Sequence, residues 1–348
     1  MMIRSAMLCG CLLPALLAAA PAPGLLTWEG RTMGTFYIVK LAGVAQNEKL
    51  AAELRGAVEQ RLDELNREMS HYLPDSELSR FNNSTATAPC KVSAPFAHVM
   101  RHSLAVCRES GGAFDPTLGA LINLWGFGPG GFTGRIPADA EIAAAQRACG
   151  GQHLHVTDAD ELHKDVPGLQ LNLGGVAKGF GADEAARLLR ERGYTNVFVS
   201  VCGEIVARGL NPEGQPWQVG IERPLYDIPH GAALSAIVPL SDRALSTSGD
   251  AHNFFRDEQG KVFAHILDPA TGRPVSNTIA SVTVIATNGL TADSLTKPLY
   301  ILGIERGLRW IEARPDTAAL FIIRENAGRL RLVASSRFPV FQNLELQP

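Results

Sequence analysis

The chain has 348 residues, 46% hydrophobic and 19% charged, with a formal net charge of −3. That length and balance suit a globular protein with a sizeable core and exclude wholesale disorder. No Lys/Arg-rich run occurs, which argues against nucleic acid as a partner.

Residues 1–24 predict an export signal. Arg4 gives a positive start, "AMLCGCLLPALLAAA" is apolar but short for a membrane span, and "PAPG" follows. Cleavage is expected within 18–24, which leaves a periplasmic domain over 25–348. Lipidation at Cys11, with Leu8 ahead of it, stays open as the alternative. No later segment is apolar and long enough to cross a bilayer. Cys90, Cys107, Cys149 and Cys202 are scattered without a C-x-x-C. That spacing argues against a zinc site or a redox pair, and it assigns no disulfide.

Taken in order, 28–43 alternates and is rich in β-formers, so it predicts a strand. Leu50, Leu54, Val58, Leu62, Leu65 and Met69 recur at helical spacing and predict an amphipathic helix over 48–70. A polar loop with about one helical turn follows at 71–87. Ser93–Gly111 predicts a second helix, 113–137 a loop, and 138–151 a short helix with a glycine stop. Strands are expected at 153–157 and 169–173, then a helix ending at Gly193. The remainder is strand-rich: 194–201, 204–210, 216–224, 233–249, 261–269, 280–287, 317–325 and 329–335, with a helix inside 289–303. The class is α+β or mixed α/β, a helix-rich first half packed on a strand-rich second half.

Five stretches could carry chemistry. "LNLGGVAKGFGAD" (171–183) sets bare backbone and Lys178 at a helix mouth. That reads as an anion-facing turn or as a plain strand–helix connection. In "FAHILDPATGRPV" (263–275), His265 leaves a strand into a turn, as a base or as a structural histidine. In "TADSLTKPLYILG" (291–303), Asp293 could hold magnesium through hard oxygens or cap a helix. "MSHYLPDSELSRFN" (69–82) offers Tyr72 to a flat ring, and "GGAFDPTLG" (111–119) presents Phe114 and Asp115. His98 and His102 are four apart but lack the H-E-x-x-H glutamate, and His153 and His155 share a strand face expected to be solvated. Ser248 lacks the hydrolase elbow.

The order of these motifs, together with "TMGT", Gly203–Glu204 and "STSGD", resembles the FAD:protein FMN transferase (ApbE-type) family from about residue 28 to about residue 305. The resemblance implies an exported enzyme that binds FAD and Mg²⁺. It would transfer FMN to a Thr or Ser of an acceptor, typically a membrane redox subunit, and release AMP. It places Met33 and Tyr72 at the flavin, and Ala113, Phe114, Asp115, Asn172, Lys178 and Ile266 along FAD. The Gly175 carbonyl and Asp293 would ligate Mg²⁺, and His265 would be the base. Three positions depart from the family pattern. Lys297 stands where Thr is frequent, so either Thr296 reaches the ion or the lysine partly replaces it. Cys202 stands in a glycine pair, and Asn172 stands where Asp is frequent. A flavin carrier without transfer and a Mg²⁺-dependent FAD diphosphatase are the competing functions.

Overall fold

The computed structural model describes residues 24–229, 231–325 and 329–344; the export signal and Cys11 lie outside them. Eight strands form one antiparallel sheet whose spatial order follows the chain. They are β1 (Leu25–Thr32), β2 (Thr35–Ala42), β3 (Val197–Val201), β4 (Glu204–Arg208), β5 (Arg243–Gly249), β6 (Ile279–Ala286), β7 (Ala318–Arg324) and β8 (Leu330–Ala334). The helices are α1 (Glu48–Met69), α2 (Glu77–Asn83), α3 (Ala94–Glu109), α4 (Gly119–Leu124), α5 (Asp139–Gln146), α6 (Ala177–Glu191) and α7 (Gly289–Glu312).

The sheet is buried on both faces. Helices α1, α6 and α7 cover one side. On the other, Trp217, Val219, Ala236 and Val238 of a smaller sheet meet Ile205, Leu245, Ile285 and Leu320. All eight residues of β6 are therefore buried, as expected for a central strand covered twice. The fold is α+β, with the N-terminal hairpin forming an edge of the sheet built by the second half.

Three segments differ from expectation. The single strand expected at 28–43 is a hairpin, because Met33 (φ 49°) and Gly34 (φ 72°) form a two-residue turn. Cys202 (φ 53°) and Gly203 (φ 91°) repeat this device between β3 and β4. The strand expected at 169–173 is not one. Its ladder is replaced by the Asn82 amide, which accepts from the Leu171 N–H at 2.7 Å and donates to its carbonyl at 2.9 Å. The loop at 113–137 holds α4, whose Leu121 is buried beside Trp125.

The crossing of α6 over α7 positions the site. A Cβ on Gly179 would overlap the Gly289 carbonyl oxygen and sit 2.8 Å from Asp293 Cβ, and a Cβ on Gly289 would overlap the Gly179 carbonyl. Each helix also caps the other. Asp183 of α6 accepts the N–H groups of Gly289 at 2.7 Å and Leu290 at 2.8 Å, while Asp293 of α7 accepts that of Gly179 at 3.2 Å. Those donors are first-turn groups that have no partner within their own helix. Gly179→Ala is expected to lower unfolding stability in urea by about 1–3 kcal/mol, the usual penalty of overpacking; an unchanged midpoint would show that the crossing tolerates a methyl group.

Candidate active site

A cleft of about 560 Å³ opens between the two hairpin tips, the end of α1, the mouth of α6 and the 247–267 segment. Met33, Tyr72, Ala113, Phe114, Asp115, Asn172, Gly175, Lys178, His265, Ile266 and Lys297 all line it. Asp293 and Thr296 lie behind this wall, fully buried. Tyr72 stands at the mouth, 60% exposed, with its ring 4.2 Å from that of His71. Met33 is held in the left-handed region and its methyl faces α6 at Gly181. Ala113, Phe114 and Ile266 give the cleft apolar walls.

Two polar residues of the cleft wall are largely committed to the scaffold. Asp115 accepts the Thr117 N–H at 2.8 Å, its hydroxyl at 2.6 Å and the Gly151 N–H at 3.2 Å. Burial pushes its carboxyl above the ordinary range despite those bonds. Asn172 accepts the Gly174 N–H at 2.9 Å and so shapes the turn before α6.

The charged centre is a four-group cluster of two buried carboxylates and two half-buried lysines. Lys178 Nζ lies 2.9 Å from Glu204 Oε1, and Lys297 Nζ lies 2.9 Å from Asp293 Oδ1. Burial alone would lower the Lys178 ammonium, but Glu204 and Asp293 reverse this and hold it protonated. Burial likewise works against the Asp293 carboxylate, yet Lys297 and Lys178 keep it below the usual range. Glu204 moves the other way: burial raises it over the pull of Lys178, and its Oε2 has no partner.

His265 faces the same cleft. Its main-chain N–H donates to the Asn253 carbonyl at 3.0 Å, and its Nδ1 lies 3.2 Å from that same oxygen. A carbonyl only accepts, so Nδ1 carries the proton and Nε2 keeps its lone pair. Desolvation, then the ammoniums of Lys297 and Lys178, lower its pKa to about 4. The imidazole is therefore neutral at physiological pH.

The residues present do not fit a resident Mg²⁺. Such an ion needs near-octahedral oxygens at about 2.0–2.1 Å. Asp293 Oδ1 is taken by Lys297 and Oδ2 by the Gly179 N–H. The Thr296 hydroxyl donates to the Asp293 carbonyl at 2.7 Å and meets Ser248 Oγ at 2.8 Å. Gly175 instead makes room for the lysine: a Cβ there would lie 2.9 Å from Lys297 Cε. Of the residues expected around the ion, Asp293 is paired with Lys297 at 2.9 Å, and Gly175 lies beside the lysine stem.

Sequence reasoning missed two participants. Glu204 was visible only as an acidic residue opening a strand after Gly203. Asn253, which sets the imidazole tautomer, reaches across twelve residues and leaves no local signal. The histidine pairs set aside earlier lie elsewhere. His102 bonds Ser294 at 2.9 Å, and His155 stacks on His163 beside Asp165 on a separate hairpin. Cys90, Cys107, Cys149 and Cys202 are free thiols. Among the described residues no helix is long and apolar enough to cross a membrane.

Half-buried ammoniums near a helix mouth, in one part-apolar cleft with a neutral imidazole, define an α+β enzyme site suited to group transfer on an anionic ligand. Residues 33–321 match the ApbE family, and the chain belongs to it. A Vibrio cholerae protein named FAD:protein FMN transferase is 38% identical over 90% of this chain and 91% of its own length. A Salmonella typhimurium protein of the same name is 38% identical over 94% and 92%. The solved flavin transferase ApbE of Vibrio cholerae superposes with a TM-score of 0.80 at 37% identity, covering 90% of this chain and 98% of that one.

Titration of the free protein by ¹⁵N-edited NMR should find the His265 ring neutral, with its proton on Nδ1, at pH 6, and protonating near pH 4. A midpoint at the ordinary value of about 6.5 would contradict this environment.

Proposed function

We propose that this chain is an exported FAD:protein FMN transferase, acting on the periplasmic side of the membrane. It takes FAD as donor, moves the FMN half onto a Thr or Ser hydroxyl of an acceptor protein through a phosphoester bond, and releases AMP. The acceptor is a membrane redox subunit carrying a short Ser/Thr-containing motif. Membership of the family, and the name its relatives carry, support the reaction class. The observation that carries the reading for this chain is that two ammoniums, Lys178 and Lys297, and the His265 imidazole line one cleft.

Each part then has a task. Tyr72 and Met33, at the outer end, cover the flavin ring, and Phe114 and Ile266 wall it from the side. Lys178 and the turn at 172–178 meet the diphosphate. The acceptor hydroxyl is a poor nucleophile at neutral pH and needs a base within hydrogen-bond reach. His265 Nε2 takes its proton as the hydroxyl oxygen bonds to the FMN phosphorus. The bond from that phosphorus to the bridging oxygen breaks, and its electron pair leaves with AMP. Preorganised ammoniums act where that charge develops. Burial and the two ammoniums weaken the imidazole as a base in the free protein, and arriving phosphates offset them by favouring its protonated form.

His265→Ala should leave FAD binding intact and slow transfer by about 10²–10⁴-fold, the usual contribution of a general base. The readout is the mass gain of FMN on the acceptor, with FAD binding followed by flavin fluorescence. Equal transfer rates for variant and parent would remove His265 from this role. FMN released to solvent instead of attached would point to the diphosphatase, and FAD left intact to the carrier.

A further inference from the structure

The Lys297–Asp293 pair carries a consequence for the cation requirement of this site, and it rests on the transferase reading above. Asp293 is fully buried and needs a positive partner. In this chain that partner is covalently attached, one helical turn along α7, at 2.9 Å. The cluster of Lys178, Lys297, Asp293 and Glu204 balances two positive charges against two negative ones. Without Lys297 it would hold a net negative charge directly behind the mouth of α6, a poor place to receive a diphosphate.

The local geometry serves the lysine. Gly175 leaves room for its stem, since a Cβ there would crowd Lys297 Cε at 2.9 Å and Nζ at 3.2 Å. The ammonium lines the cleft and keeps 16% of its side-chain surface exposed, so a ligand can reach it. The hydroxyl best placed to join a metal shell, that of Thr296, is turned away into bonds with the Asp293 carbonyl and Ser248. Glu204 Oε2 is a buried oxygen without a partner, but one oxygen is far short of the six a magnesium ion collects. A dication placed on Asp293 would displace Lys297 from its carboxylate partner and join two ammoniums in one cluster.

We propose that the Lys297 ammonium is a built-in cation which meets the diphosphate of the donor in place of a divalent metal, so that donor binding and transfer proceed without one. An ammonium is a compact point charge with three donors and can serve Asp293 and a phosphate oxygen together.

The test is the dissociation constant of FAD, by flavin fluorescence, for the full mature chain in excess EDTA and in excess Mg²⁺, with bound metal counted by elemental analysis. The expected result is the same constant in both buffers and no stoichiometric metal. Lys297→Thr, checked for folding by circular dichroism, should lose about ten- to a hundredfold in EDTA, as for one charge-assisted contact. It should recover in Mg²⁺, because Asp293 is then free to ligate. Binding by the parent chain only when Mg²⁺ is present overturns the proposal. A Lys297→Thr variant that binds as the parent does in EDTA overturns it as well. Absence of FAD binding by the parent in both buffers overturns the dinucleotide reading itself, and this proposal with it.

Discussion

The contact on which the site depends is the crossing of two helices at a pair of glycines. Gly179 and Gly289 bring the first turns of α6 and α7 so close that neither position admits a methyl group without displacement. Two helix starts face each other there, and each exposes N–H groups that its own helix cannot satisfy. Asp183 and Asp293 satisfy them across the gap. A cap of this kind is worth about 0.5–2 kcal/mol, but its larger effect is positional. One cap, Asp293, is also the anchor of Lys297, and the helix it caps carries Lys178. Backbone packing thereby fixes the location of two ammoniums.

The sheet completes the arrangement from the other side. Two-residue turns at 33–34 and 202–203 deliver Met33, Cys202 and Glu204 to the cleft from adjacent hairpins. Cys202 sits at a left-handed position that glycine would occupy with less strain. Its N–H bonds the Phe36 carbonyl at 3.0 Å, which ties the second hairpin to the first. Glu204 then meets Lys178, so the charge brought by α6 is balanced by a residue of the sheet. His265 arrives from a third element, the segment after the strand Val262–Ala264, and the Asn253 carbonyl meets both its main-chain N–H and its ring.

Local patterns carried much of this into the sequence. The stripe Leu54, Val58, Leu62, Leu65 and Met69 marked α1 because burial on one face demands that spacing. Lys178 and His265 were not distinctive alone, since each also suits a plain connection or a structural histidine; the order of the motifs along the chain singled them out. Contacts distant along the chain were not legible. Nothing near Asp293 announces that Gly179 donates to it, and nothing near Leu171 announces that the Asn82 amide replaces a strand partner. The hairpin at Met33 was hidden because methionine is an unusual residue for a left-handed turn position. Thr296 looked available for a metal in sequence, whereas in three dimensions its hydroxyl is spent on a carbonyl and a serine.

The most direct test of the whole account is a crystal structure of the mature protein soaked with FAD. The diphosphate should lie against the 172–178 turn, within contact of the Lys178 and Lys297 ammoniums, with the FMN phosphorus on the side of His265 Nε2 and the flavin under Tyr72. Density for the diphosphate outside this cleft, for example in the groove beside His98 and His102, would contradict it.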